Sequence, residues 1–221
     1  MDNNLNFQAE DKKIKEVLFN TQNPFRIPRY QRPYAWEEDQ TSEFWNDLKD
    51  DNSNFIGSLI FNIEPLKEEK CIDIIDGQQR LLTITIFCSA LREISEGIDS
   101  TLADLIQTKN IAMQDYDGNE TFRIQTGDSI IKFFGKYIQG RYSEILTLDS
   151  TKLSKEELKV FKNYKYFYNK IFNEINSIEI KDKKLKYIKS LRSKIAELIV
   201  IHIKIENEEE AYEIFETTNA R

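Results

Sequence analysis

Covalent and metal cross-links have little to work with in this chain. Its 221 residues include two cysteines, Cys71 and Cys88. Both sit in apolar runs, so a disulfide framework is not the organising device and a reducing, cytoplasmic setting fits. The single histidine, His202, cannot assemble a usual zinc set, and no metal ligand is assigned. Only 7 Gly and 4 Pro argue against long disordered linkers. No apolar run approaches the roughly 20 residues of a membrane span, and the start, MDNNLNFQAEDKK, has no apolar signal-peptide core. No membrane is expected among the partners. A basic excess is missing too: 31 Lys and Arg against 38 Asp and Glu give a net charge of -7. That excludes a uniformly basic nucleic-acid face and leaves room for a local one.

What the chain does have is material for a core: 40% hydrophobic residues and 12% aromatics. Its length suits one large domain, or a small one with a second lobe. Spacing predicts a short helix over Lys12–Asn20, with Ile14, Val17 and Leu18 on one face. The prolines of "PFRIPRYQRPYAW" then impose extended backbone. A helix resumes over "EEDQTSEFWNDLKDD", with Trp36, Phe44, Trp45 and Leu48 as core candidates. "FIGSLIFNI" (55–63) and Cys71–Ile75 read as strands, and Leu81–Ile94 as a buried helix. The texture changes near Thr101. "TFRIQTGDSIIKFFGKYI" reads as a short strand, then a helix. Ser154–Asn176 is a long helix opened by a Ser154/Glu157 capping box. Its apolar stripe runs from Val160 and Phe161 through Tyr164, Phe167, Tyr168, Ile171 and Phe172 to Ile175. Asp182–Leu198 is helical, Leu198–Ile205 is the best strand, and Glu208–Thr217 a last helix. His202 reads as a strand residue on the less apolar face.

The stretch with the most chemistry is "CIDIIDGQQRLLTIT", residues 71–85. A buried strand hands over to a buried helix through Asp76-Gly77-Gln78-Gln79-Arg80. The first turn of a helix leaves backbone N–H groups free, and its dipole favours an anion there. Gly77 permits close backbone approach, and Arg80 adds a permanently charged fork suited to phosphate. Gln78 and Gln79 donate and accept without adding charge. Asp76 fits beside a phosphate if it caps the helix, holds a metal or orients water. Two further clusters accompany this turn. In "IPRYQRPYAW", Arg26 (just before it), Arg29 and Arg32 interleave with Tyr30, Tyr34 and Trp36. Arginines with aromatic faces suit a nucleic acid, and in extended backbone Tyr30, Arg32 and Tyr34 share a face. In "IFETTNAR", Glu216, Asn219 and Arg221 gather where the last helix runs out. No closing signal follows Arg221, so a further domain is expected.

Taken in order, "IPRYQRPYAW", "FIGSLIF", "IDGQQRLLTI" and "FETTNAR" resemble the N-terminal domain of GmrSD-type modification-dependent restriction systems. The resemblance covers about Lys12–Ile94 and Leu198–Arg221. It implies an α+β fold similar to ParB and sulfiredoxin, a small mixed sheet with helices. On that view residues 1–100 form the ParB-like part, 101–197 a helical insertion, and 198–221 the strand and helix that complete it. It also implies anti-phage defence through a nucleoside triphosphate bound and hydrolysed at the DGQQR motif. Gly77, Gln78, Gln79, Arg80 and Arg221 would bind the nucleotide. Asp76, Gln79, Arg80, Glu216 and Asn219 would carry the chemistry, with Mg2+ as an accompanying ion. GTP, CTP and ATP stay open. Family members often carry an HNH-type nuclease after this domain. No such pattern occurs here, so cleavage would belong to a C-terminal domain or a separate partner. Substrate DNA, including modified phage DNA, would meet Arg26, Arg29, Tyr30, Gln31 and Arg32. The rival reading is a DNA-recognition or partner-docking module without turnover, serving that nuclease.

Overall fold

A computed structural model of the chain describes residues 8–50, 54–64, 70–114, 117–126, 130–141 and 144–207. The molecule is α+β. Its main sheet has six strands: β1 (Gln8–Lys13), β2 (Phe25–Arg26), β3 (Phe55–Asn62), β4 (Ile72–Asp76), β7 (Ile124–Gln125) and β8 (Ile199–Ile205). Their spatial order is β1-β8-β3-β4-β2-β7. β8 lies antiparallel to β1 and parallel to β3, and β3 is antiparallel to β4. β2 runs parallel to both β4 and β7. A separate hairpin pairs β5 (Ala112–Gln114) with β6 (Glu120–Phe122).

The late strand β8 is rich in β-branched residues and sits inside the sheet, between the first strand and β3. Its pairing explains one departure from the sequence pattern. Residues 8–13 form β1 along β8, from Gln8 opposite Lys204 to Lys13 opposite Ile199, and so draw Lys12 and Lys13 out of the expected Lys12–Asn20 helix. Only Lys15–Phe19 remains helical, as a π-helical turn. The expected apolar face is buried all the same, through Ile14, Val17 and Leu18.

Helix α1 (Glu38–Lys49) buries Phe44, Trp45 and Leu48. The central helix α2 (Gln78–Glu96) is apolar on nearly every side, the mark of a helix enclosed by its neighbours. Leu81, Ile84, Ile86, Phe87, Ala90 and Leu91 are fully buried, each large one contributing about 1.5–3 kcal/mol. Its hydroxyls stay satisfied by bonding back one turn, Thr85 to Leu81 O and Ser95 to Leu91 O. α3 (Ser100–Ile106) is capped by Asp99 and runs on as a π-helical turn over Gln107–Ile111. α4 (Ile131–Phe133) does the same into Phe134–Gln139.

α5 (Lys155–Asn176) has the expected capping box: Ser154 Oγ accepts from Glu157 N–H, and Glu157 accepts from Ser154 N–H. It packs on α2 through Phe167 against Phe87, ring centroids 5.4 Å apart. The stripe is narrower than its spacing suggests, because Phe172 is exposed and stacks on Tyr168. α6 (Lys181–Glu197) follows with Ile188, Leu191 and Ile195 buried. Residues 101–197 thus supply α3 to α6, the small hairpin and the edge strand β7. Cys71 and Cys88 are free and buried, and burial pushes the Cys88 thiol up to about 12. Among the described residues no helix is long and apolar enough to cross a membrane.

Candidate functional site

The site is built where β4 ends. The chain leaves the sheet at Asp76, turns at Gly77 and enters α2 at Gln78. Gly77 has φ +92°, a left-handed conformation that favours glycine. A side chain there would also run into Leu59 and approach Ser58 O at 3.2 Å. No side chain caps α2, and its first intrahelical bond runs from Leu81 N–H to Gly77 O. By helix geometry the amides of Gln78, Gln79 and Arg80 therefore have no partner one turn back. They open on a cavity of about 160 Å³ lined by Gln31, Arg32, Trp36, Asp76 and the turn itself.

Arg80 is held from three directions. Its Nη2 donates to Ser58 O at 2.6 Å and to Asp76 Oδ2 at 3.2 Å. Its Nε is buried and finds no acceptor among the described residues. Behind it lies Gly57, in left-handed backbone at φ +100°. A Cβ on Gly57 would stand 2.5 Å from Arg80 Nη1. Gly57 falls within an irregularity of the β3–β8 pairing, between Phe55 and Ser58. β3 therefore contributes a glycine surface and a carbonyl to the arginine. Sequence reading missed both Gly57 and Ser58. The signal available was a glycine inside a strand pattern, which marks a bulge or a close approach.

The two glutamines are used differently. Gln79 is buried, and its carboxamide bridges the extended segment: Nε2 donates to Pro33 O at 3.1 Å, and Oε1 accepts from Ala35 N–H at 2.8 Å. Gln78 donates to Arg32 O at 2.7 Å. From the facing side Gln31 donates to Ile75 O at 2.8 Å. Four side-chain bonds thus fasten "QRPYA" (31–35) across the strand end and the helix start.

The arginine–aromatic segment is not the single extended face its spacing suggests. The chain turns at Pro28–Gln31, where Gln31 N–H donates to Pro28 O. Tyr30 is left 51% exposed, whereas Tyr34 is buried and bonds Thr83 and Asn163. Arg26 makes a two-pronged ion pair with Asp73 on β4, at 2.6 and 2.9 Å. Arg29 and Arg32 line a second cavity of about 270 Å³, whose other walls include Ile27, Tyr34, Leu82 and Ile130. It shares Gln31, Arg32 and Gln78 with the turn cavity. Trp36, expected in the core, is only partly buried and walls the turn cavity.

Glu216, Asn219 and Arg221, with the expected helix over Glu208–Thr217, lie outside the described residues. Among the described residues no cluster of three or more His, Cys, Asp or Glu could hold a metal. Asp76 is, among the described residues, the carboxylate that lines the turn cavity. A magnesium ion needs only one or two protein carboxylates when phosphates complete its shell, and Asp76 fits that requirement.

His202 departs from its expected place. It faces the same side as Val200, opposite Leu59, and packs 5.4 Å from the Phe61 ring. Burial, helped by Lys12 and Lys204, pushes it down to about 4. It is a buried residue of the sheet, paired with Leu59.

The family model described as the GmrSD restriction endonuclease, N-terminal domain, matches residues 14–221. No curated protein matches the chain.

Proposed function

The chain belongs to the family of GmrSD restriction endonuclease N-terminal domains, and from that membership we propose that its strand-to-helix turn binds and hydrolyses a nucleoside triphosphate. Membership makes it part of a DNA-acting restriction system. The observation that carries the proposal is the cavity at Gly77, where unpaired first-turn amides and the Arg80 fork meet. The ParB-like fold that the motif resemblance implies would agree, since its equivalent loop cradles phosphates.

In this reading the phosphates occupy the smaller cavity, against Gly77, Gln78 and Arg80. The nucleoside extends into the larger one, beside Tyr34 and Ile130. Asp76 would hold a magnesium ion arriving with the triphosphate, and that ion would neutralise phosphate charge. Arg80 gives up part of its contact with Asp76 and turns that donor to a phosphate oxygen. Its bond to Ser58 O keeps the fork aimed during the exchange. Gln79 keeps Pro33–Ala35 against the turn, and so keeps Gln31 and Arg32 at the rim. Glu216, Asn219 and Arg221 are proposed to complete the site. Attack of water on the terminal phosphate needs mainly alignment and charge neutralisation, which these groups supply.

The test is phosphate release from GTP, CTP and ATP with Mg2+. Wild type is expected to hydrolyse at least one, and Arg80→Ala and Asp76→Ala to lose 100-fold or more, on the order of one removed charge-stabilising group. Equal rates in all three proteins would end this reading. The second reading, recognition of DNA by Arg29, Tyr30 and Arg32 without turnover, draws on the exposure of Tyr30 beside these arginines. A docked C-terminal or separate HNH-type nuclease would then do the cutting.

A further inference from the structure

Charge is segregated along the chain. Residues 155–197, which make α5 and α6, hold 12 Lys and Arg against 6 Asp and Glu, inside a chain of net charge -7. On α5, Lys155, Lys159 and Lys162 recur at steps of four and three and share one flank. Another flank of the helix is buried through Val160, Phe161, Tyr164 and Phe167. Along the lysine flank runs a groove of about 650 Å³, walled on its far side by Trp36–Glu38.

Lys155, Lys159, Lys162 and Lys165 line this groove together with Trp36 and Tyr166. Glu37 and Glu38 line it as well. Lys159 is matched by Glu37 at 3.0 Å, and that partner holds the Glu37 carboxyl below its ordinary range. Lys155, Lys162 and Lys165 are exposed. From Lys155 to Tyr166 the flank is about 16 Å long at 1.5 Å per residue. Duplex DNA presents a charge about every 1.7 Å of its axis, so such a flank meets several phosphates at once.

The groove is also joined to the turn. Trp36 lines both the groove and the turn cavity. Asn163, buried on α5, donates to Trp36 O at 3.0 Å and to Tyr34 Oη at 2.8 Å. Lys159 Nζ donates to Ala35 O at 3.3 Å, while Ala35 N–H donates to Gln79. The 34–36 stretch is therefore pinned to α5 on one side and to the DGQQR turn on the other.

We propose that the groove between α5 and Trp36–Glu38 receives the phosphate backbone of duplex DNA, with Trp36 as the wall it shares with the turn cavity. An anionic membrane would meet the same charges. The concave shape, the lysines in a line and the family's action on DNA favour the duplex. The proposal rests on the DNA-acting role and not on nucleotide turnover.

The test is a titration of a labelled duplex of about 20 base pairs with the full chain at several salt concentrations. It compares wild type, the triple variant K155Q/K162Q/K165Q, and a control triple on α6, K183Q/K186Q/K189Q. The α5 triple is expected to bind on the order of tenfold more weakly. The slope of log affinity against log salt should be shallower by about 0.9 for each lysine that meets a phosphate. The α6 triple should match wild type, and hydrolysis without DNA should match wild type in both. Unchanged DNA binding in the α5 triple, equal losses in the two triples, or wild type that takes up phosphatidylserine vesicles and no duplex would each overturn the proposal. Absent hydrolysis alongside a selective loss in the α5 triple would sink the nucleotide reading alone.

Discussion

Arg80 shows how a single side chain can be charged, partly enclosed and still available. Asp76 offsets its charge, and Ser58 O fixes its direction. The buried Nε has no acceptor among the described residues. Burying a donor without a partner costs about 1–3 kcal/mol, so a ligand oxygen able to reach it would recover much of that cost. That Arg80 suits phosphate was legible in the sequence. Its dependence on Ser58 and Gly57 was not, because those residues are about twenty positions away and meet it only through β3–β4 pairing. His202 makes the opposite case. It alternates with isoleucines, which hides that its own side of β8 is the one facing Phe61. Its folded value of about 4 lies below the ordinary 6.5. Unfolding therefore takes up a proton between those values, and stability contributed by the neutral ring is full above pH 6.5 and lost as pH falls toward 4. Denaturant midpoints measured from pH 7.5 to 4 should fall more steeply for wild type than for His202→Leu. Parallel curves would contradict the burial argument.

At the scale of elements, β3 carries a role that its strand pattern conceals. The irregularity between Phe55 and Ser58 places Gly57 at φ +100°, flush against the Arg80 fork. Gly57→Ala adds both backbone strain, about 1–3 kcal/mol, and a methyl group at 2.5 Å from Nη1. It should lower the denaturation midpoint and weaken triphosphate binding together. A variant as stable and as tight-binding as wild type would show that the glycine surface does not position Arg80. Helix α2 was legible from its long, nearly unbroken apolar run, and α5 from periodicity and its capping box. The π-helical turns at Lys15–Phe19, Gln107–Ile111 and Phe134–Gln139 have no comparable sequence signal. Lys12 and Lys13 were misread as helical because their pairing in β1 is set by β8 residues nearly 190 positions later.

Across the whole molecule, one sheet gathers distant segments around one turn. β8 arrives late in the sequence yet lies beside β3, which supplies the backing for Arg80. The extended segment 31–36 bridges the turn to α5, and the basic flank of α5 faces away from the core. The turn was visible in the sequence because its residues are contiguous. The groove was not, because it joins Trp36 to a helix 120 residues on, and the chain's acidic balance masks a local basic excess. The proposed nucleotide chemistry depends on a phosphate seat at Gly77–Arg80. Calorimetric titration of GTP, CTP and ATP with Mg2+ into wild type and Arg80→Ala measures that seat most directly. The account predicts saturable binding of at least one triphosphate by wild type and its loss in the variant. Absence of binding to wild type, or equal binding by Arg80→Ala, would contradict it.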